Sequence, residues 1–116
     1  RYVREPRQRD LPGLYRQMDV FVNSSHSEGF SLVTLEAMAS GCALVATAVG
    51  EVPEMGCVGK DYRMVPPHDP AALAAAILAL VRDRRELASV AEHGHRLAST
   101  YTWERATQAL EGILLA

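Results

Sequence analysis

Apolar side chains recur at three- and four-residue intervals from Asp10 to Asp19, where Leu11, Leu14, Tyr15 and Met18 share one side of a helix. Asp10 is placed to cap that helix, with Pro12 in its first turn. The spacing then changes. Val20–Ser24 (VFVNS) is a short β-branched and aromatic run, followed by the polar loop Ser-Ser-His-Ser-Glu-Gly. A second helix is predicted over Leu32–Ser40, closed by Gly41 at the position after the cap. Ala43–Thr47 (ALVAT) lies between Gly41 and Gly50 and has the character of a strand buried on both faces. Val49–Gly56 reads as a turn holding one helical turn, and Tyr62–Pro66 as a third short strand ended by Pro66-Pro67. From Pro70 the chain turns helical, over Pro70–Asp83, Arg84–Thr100 and Thr102–Ala116.

Short strands alternating with helices give the pattern of a parallel sheet with right-handed crossovers. The predicted class is α/β: part of a doubly wound, Rossmann-like domain with three to four short strands, flanking helices and a helical C-terminal tail. Such nucleotide-binding domains carry about five or six parallel strands. Only three are evident here, with Arg1–Pro6 read as the tail of a fourth. Residues 1–116 are therefore read as one incomplete domain, whose early strands and partner domain lie outside the chain.

Composition narrows the function. The net charge of −2 and pI near 6.1 provide no basic field for nucleic acid or an anionic membrane. Basic residues are almost all arginine, Lys60 being the one lysine. Cys42 and Cys57 match no close-spaced metal motif and are read as reduced thiols rather than a disulfide. The longest apolar helix, near Ala71–Val81, is too short to span a bilayer. The expected location is the cytoplasm, with at most peripheral contact at the inner face of a membrane.

Candidate chemistry concentrates in SEGFSLVTLEAMASGCALVAT, Ser27–Thr47. Ligands of open parallel sheets sit beyond the carboxyl ends of the strands, and the loop Asn23–Ser31 occupies such an end. Gly29 permits close backbone approach, Ser31 can cap the helix, and the free N–H groups near Leu32, Val33 and Thr34 favour a phosphate. Carboxylates aimed at that phosphate would repel it. Glu28 stands on the loop side, and Glu36 lies roughly 7 Å up the helix from Ser31 at its 1.5 Å rise. Ionised carboxylates only accept hydrogen bonds, which suits vicinal hydroxyls. A diphosphate with hydroxyl-bearing rings on both sides fits this layout, as in a nucleotide sugar.

The same residues resemble a family. EGFSLVTLEAMASG is similar to the E-x7-E motif of GT-B glycosyltransferases, in particular the large retaining GT4-like group, with Glu28 and Glu36 as its two glutamates. LYRQMDVFVNSS, GCALVATAVGEVPE, MVPPHDPAALAAAI and YTWERA resemble further segments in the family's order, so the likeness covers nearly the whole chain. The resemblance implies the C-terminal, donor-binding domain of a two-domain enzyme that moves a sugar from a nucleoside-diphosphate sugar to a hydroxyl acceptor. It implies that Glu28 acts in catalysis, with Glu28, Gly29, Phe30 and Ser31 at the donor sugar. Leu32, Val33 and Thr34 would receive the diphosphate, and Glu36 the ribose. No metal and no cofactor beyond the donor are implied; the acceptor would be held by the missing domain.

Three positions depart from the family's usual residues. Ser31 and Glu51 stand where glycine is common, and Ala43 where proline is common. Glu51 adds a carboxylate in the turn after the second strand, close to the expected base or ribose pocket. The arginine and lysine that neutralise the leaving diphosphate are expected upstream of Arg1. Other classes fit poorly. Gly59-Lys60 lacks the hydroxyl of a Walker loop, no Rossmann dinucleotide fingerprint or Asp-x-Asp pair is present, and Lys60 has no Schiff-base context. The alternative is a non-catalytic sugar-nucleotide-binding or regulatory module of the same fold. Made alone, the chain is expected to self-associate.

The remaining chemistry-bearing side chains are read blandly. Without the motif, Glu36 is a solvated helix residue and Glu28 a turn carboxylate. His26 is polar surface, His68 a turn residue, and His93 and His95 a solvated face, because they lack ligand spacing. Asp19 is read as a cap or turn, Trp103 as packing the last helix onto the domain, and Met18, Met38, Met55 and Met64 as core.

Overall fold

Ala43–Thr47 (β2) is buried at all five positions, and the rest of the domain is built around it. A strand alternates its side chains between faces, so burial throughout requires cover on both. Leu44 and Ala46 join Met38, Val52, Met55, Tyr62 and Ala98 on one side. Ala43 and Val45 join Leu80, Leu87 and Val90 on the other. In this computed structural model, which describes residues 4–115, β2 runs between Val20–Asn23 (β1) and Arg63–Val65 (β3). All pairing is parallel, with Val20 opposite Ala43, Asn23 opposite Ala46 and Thr47 opposite Val65. The order β1-β2-β3 and the flanking helices are those of the expected α/β class. Of the fourth strand proposed for 1–6, residues 1–3 lie outside the described part, and Arg4–Pro6 adopts no strand.

The helices are Leu11–Tyr15 (α1), Leu32–Ala39 (α2), Pro70–Arg82 (α3), Arg84–Ala98 (α4) and Trp103–Leu114 (α5). Their starts follow local chemistry. Asp69 accepts Ala72 N–H at 2.9 Å with Pro70 in the first turn, and Asp83 accepts the N–H groups of Arg85 and Glu86. Thr102 accepts Arg105 N–H at 3.2 Å. Each such cap contributes about 1 kcal/mol. Gly41 follows α2 with φ +90, the left-handed conformation that glycine adopts freely. The predicted turn over Val49–Gly56 holds a 3-10 helix at Val52–Glu54.

Four expectations need correction. The first helix is shorter than its apolar spacing suggested, because a 3-10 turn over Gln8–Asp10 precedes Leu11. Asp10 does not cap it: its carboxylate pairs instead with Arg7, 2.9 Å away. Met18 falls beyond α1 and is exposed. Trp103 is 86% exposed, and α5 buries none of its residues. The stripe of Trp103, Leu110, Ile113 and Leu114 is left exposed by the described residues.

Met38 and Met55 are core, and Met64 packs against them. Asp19 acts through its backbone, its carbonyl receiving Ala43 N–H at 2.9 Å. His93 and His95 each donate from Nδ1 to a carbonyl, of Ser89 and Ala39 respectively. The His26 and His68 rings lie against each other at a tilt of 49°, with centroids 4.2 Å apart. Cys42 is a buried free thiol, raised in pKa by burial and then by Asp19, whereas Cys57 is free and exposed. No helix among the described residues is long and apolar enough to cross a membrane.

Candidate functional site

Asn23, the last residue of β1, is buried although it is polar, so its amide must find partners inside the protein. Its Nδ2 donates to Ser31 Oγ at 3.3 Å and to Thr34 Oγ1 at 3.2 Å. Its Oδ1 accepts the Ser25 backbone N–H at 3.2 Å. Thr34 Oγ1 in turn donates to Ser31 Oγ at 2.9 Å, and Thr47 Oγ1, at the end of β2, donates to the Ser25 carbonyl at 2.6 Å. These bonds tie the 23–31 loop to the ends of two strands and to the first turn of α2.

Ser31 stands at the cap position of α2, as predicted, but its side chain does not cap. The hydroxyl is taken by Asn23 and Thr34. Leu32, Val33 and Thr34 form the first turn, where amides have no intrahelical acceptor. Among the described residues no other protein group accepts from these three amides. Leu32 and Val33 are exposed, whereas the Thr34 side chain is fully buried, so Thr34 offers only its amide.

Ser25 Oγ lies 2.6 Å from Glu28 Oε1 and 2.7 Å from Asn23 Oδ1; an ionised carboxylate is the stronger acceptor of its proton. Glu28 is thus linked to the buried network through one hydroxyl. Gly50 presses on the same loop. It has φ +56, and a Cβ there would come within 2.3 Å of the Gly29 carbonyl oxygen and 2.7 Å of that of Glu28. The next residue, Glu51, accepts the Ser31 backbone N–H through Oε1 at 2.7 Å. Phe30 is half exposed, its ring 5.9 Å from that of Tyr101.

Glu36 lies on the exposed side of α2 and accepts the Tyr15 hydroxyl at 3.2 Å. Burial, then the hydrogen bond to Glu36, raises the Tyr15 phenol pKa, which keeps it a proton donor. Glu36 and Tyr15 border a hollow of about 310 Å³ with Gln8, Leu11, Pro12 and Ser40. A larger hollow of about 600 Å³ lies between α5 and the Val52–Glu54 turn, away from both glutamates.

The loop and the first turn of α2 therefore bring together Glu28, Gly29, Phe30, Ser31, Leu32, Val33 and Thr34. Glu36 stands a turn further on, with no hydrogen bond joining it to Glu28. Sequence reasoning placed Asn23, Thr47 and Tyr15 in their elements but gave their side chains no part in the site. The signal for the first two was present: a polar residue ends each of two otherwise apolar strands. Among the described residues no group of three His, Cys, Asp or Glu side chains is arranged to hold a metal ion.

The family described as "Glycosyl transferases group 1" matches residues 2–83. A D-inositol 3-phosphate glycosyltransferase of Geodermatophilus obscurus is 44% identical over 96 residues, which are 83% of this chain and 21% of that protein. This chain spans about a quarter of the length of the curated relatives it matches. The C-terminal domain of the Francisella tularensis group 1 glycosyl transferase LpcC superposes with a TM-score of 0.78 at 33% identity, over 85% of this chain and 51% of that one. Anabaena HepE in complex with UDP gives a TM-score of 0.83 at 26% identity, over 90% of this chain and 29% of that one.

Proposed function

The chain belongs to the group 1 glycosyl transferases, and from that premise we propose that it is the donor-binding part of a retaining, metal-independent hexosyltransferase. The enzyme moves a sugar from a nucleoside diphosphate to a hydroxyl acceptor. One observation carries the reading: three amides at the start of α2, with no acceptor among the described residues, lie in the chain between a loop carboxylate and a helix carboxylate. The diphosphate takes the amides of Leu32, Val33 and Thr34. Glu36, steadied by the Tyr15 hydroxyl, receives the ribose hydroxyls. Glu28 and the backbone of Gly29, Phe30 and Ser31 face the sugar.

As the glycosidic bond breaks, positive charge grows on the sugar and negative charge on the diphosphate. Amides fixed at a helix start stabilise the latter without reorganising, and Glu28 stabilises the former. Structural likeness to HepE, solved with UDP, supports a nucleotide donor. Relatives named for D-inositol 3-phosphate support a hydroxyl-bearing acceptor. The acceptor is assigned to a partner domain, and the cations that face the diphosphate to sequence upstream of Arg1. The working place is the cytoplasm, at most peripherally at the inner face of a membrane.

Calorimetry on the full-length protein tests the ribose assignment. Glu36→Ala is expected to weaken binding of UDP or GDP, whichever the protein takes, by about tenfold or more. Each charge-assisted hydrogen bond lost costs about 1.5–3 kcal/mol. An unchanged dissociation constant removes Glu36 from the ribose.

This chain alone is expected to self-associate through the exposed stripe of α5 and to transfer no sugar, lacking half the cleft. Light scattering that finds a monomer would overturn the first part, and measurable transfer the second.

A further inference from the structure

One carboxylate at the loop–helix junction has no role in the reading above. Glu51 Oε1 accepts the Ser31 N–H at 2.7 Å, while its Oε2 is buried without a hydrogen-bond partner. A carboxylate oxygen so placed loses hydration and gains nothing in return. The ion pairs among the described residues leave Glu51 out, so no cation compensates it. Its one partner is the start of α2. Ser31 directly precedes the free amides of Leu32, Val33 and Thr34, at the positive end of the helix.

We propose that Glu51 is an internal competitor for the donor's diphosphate: its carboxylate sits in the field of the α2 start and must withdraw from Ser31 when the diphosphate arrives. This inference rests on the donor-binding reading above. An ionised carboxylate and a diphosphate esterified at both ends carry only acceptor oxygens, so neither can satisfy the other across the junction. Crowded together at one helix start, they repel. Withdrawal needs little, because one hydrogen bond holds the side chain and its second oxygen is bound to nothing. The backbone can stay in place. Glu51 has an ordinary helical conformation at φ −81, and Gly50 is wedged against the Glu28 and Gly29 carbonyls. Donor affinity is therefore set partly by how readily Glu51 leaves.

Calorimetric titration of the full-length protein with UDP, GDP and inorganic pyrophosphate tests this in three forms: wild type, Glu51→Gln and Glu51→Ala. Removing one repelling charge at this range is worth about tenfold in affinity or more. Both variants are expected to bind pyrophosphate, and the nucleotide that the wild type accepts, at least that much more tightly. Glu51→Gln keeps the shape and an acceptor for Ser31, so it isolates the charge and stands if Glu51→Ala fails to fold. Unchanged or weaker binding in Glu51→Gln overturns the proposal and leaves Glu51 a structural partner of Ser31. If that happens while UDP or GDP still binds, the donor-binding reading survives. If the variants tighten pyrophosphate but no form takes a nucleotide, the competitor stands and the nucleotide reading falls. Binding of no anion by any form overturns both.

Discussion

Glu28→Gln in the full-length enzyme is expected to lower kcat by about a hundredfold while changing KM little, the usual size of effect when one group that stabilises developing charge is removed. The substitution keeps the side-chain shape and an oxygen for Ser25 Oγ, which lies 2.6 Å from Glu28 Oε1 in the wild type. The loop should therefore hold its form, and the ground-state complex should survive. On the proposed reading, what is lost is a negative charge beside a sugar that turns positive only as its bond to the diphosphate breaks. Interactions that strengthen in the transition state act on kcat. Steady-state kinetics, with a melting curve to confirm the fold, decide the matter. A pure KM effect would make Glu28 an ordinary binding residue.

Gly50→Ala is expected to damage both fold and site, destabilising the domain by roughly 2–4 kcal/mol through left-handed backbone strain and a forced overlap. Gly50 has φ +56, and its new methyl would meet the Gly29 oxygen at 2.3 Å and the Glu28 oxygen at 2.7 Å. Both contacts are with backbone, which cannot swing aside as a side chain can. Relief must come from displacing the 28–31 loop, so nucleotide affinity should fall with stability. Urea unfolding and calorimetry on the same preparation read the two effects. Wild-type values in both would mean that the turns part at no cost, contrary to their packing.

The sheet was legible because its signal is local. ALVAT, a short apolar run between Gly41 and Gly50, has the character of a strand with cover on both faces, and it is one. α1 and α5 were less legible because spacing alone cannot say what a helix rests on. Met18 and Trp103 have the right periodicity for a core, but no surface among the described residues buries them. Glu28 in the loop, Glu36 in α2 and the helix start between them could be placed from spacing. The partners of Ser31 could not. A cap position predicts a side chain turned to the helix amides, but Asn23 and Thr34 claim its hydroxyl, and Glu51, twenty residues away, claims its amide. Such competition between neighbours depends on tertiary distance, which no local pattern encodes.

The Asn23 network also bears on entropy. One buried amide ties the end of β1 to Ser25, Ser31 and Thr34, and Thr47 fastens the same loop from β2. These residues surrender their conformational freedom when the domain folds, before any ligand is met. A ligand arriving at the start of α2 then meets a loop with little disorder left to remove, and ordering a loop is one of the larger costs of association. The polar side chains facing inward here contribute to binding without touching what is bound.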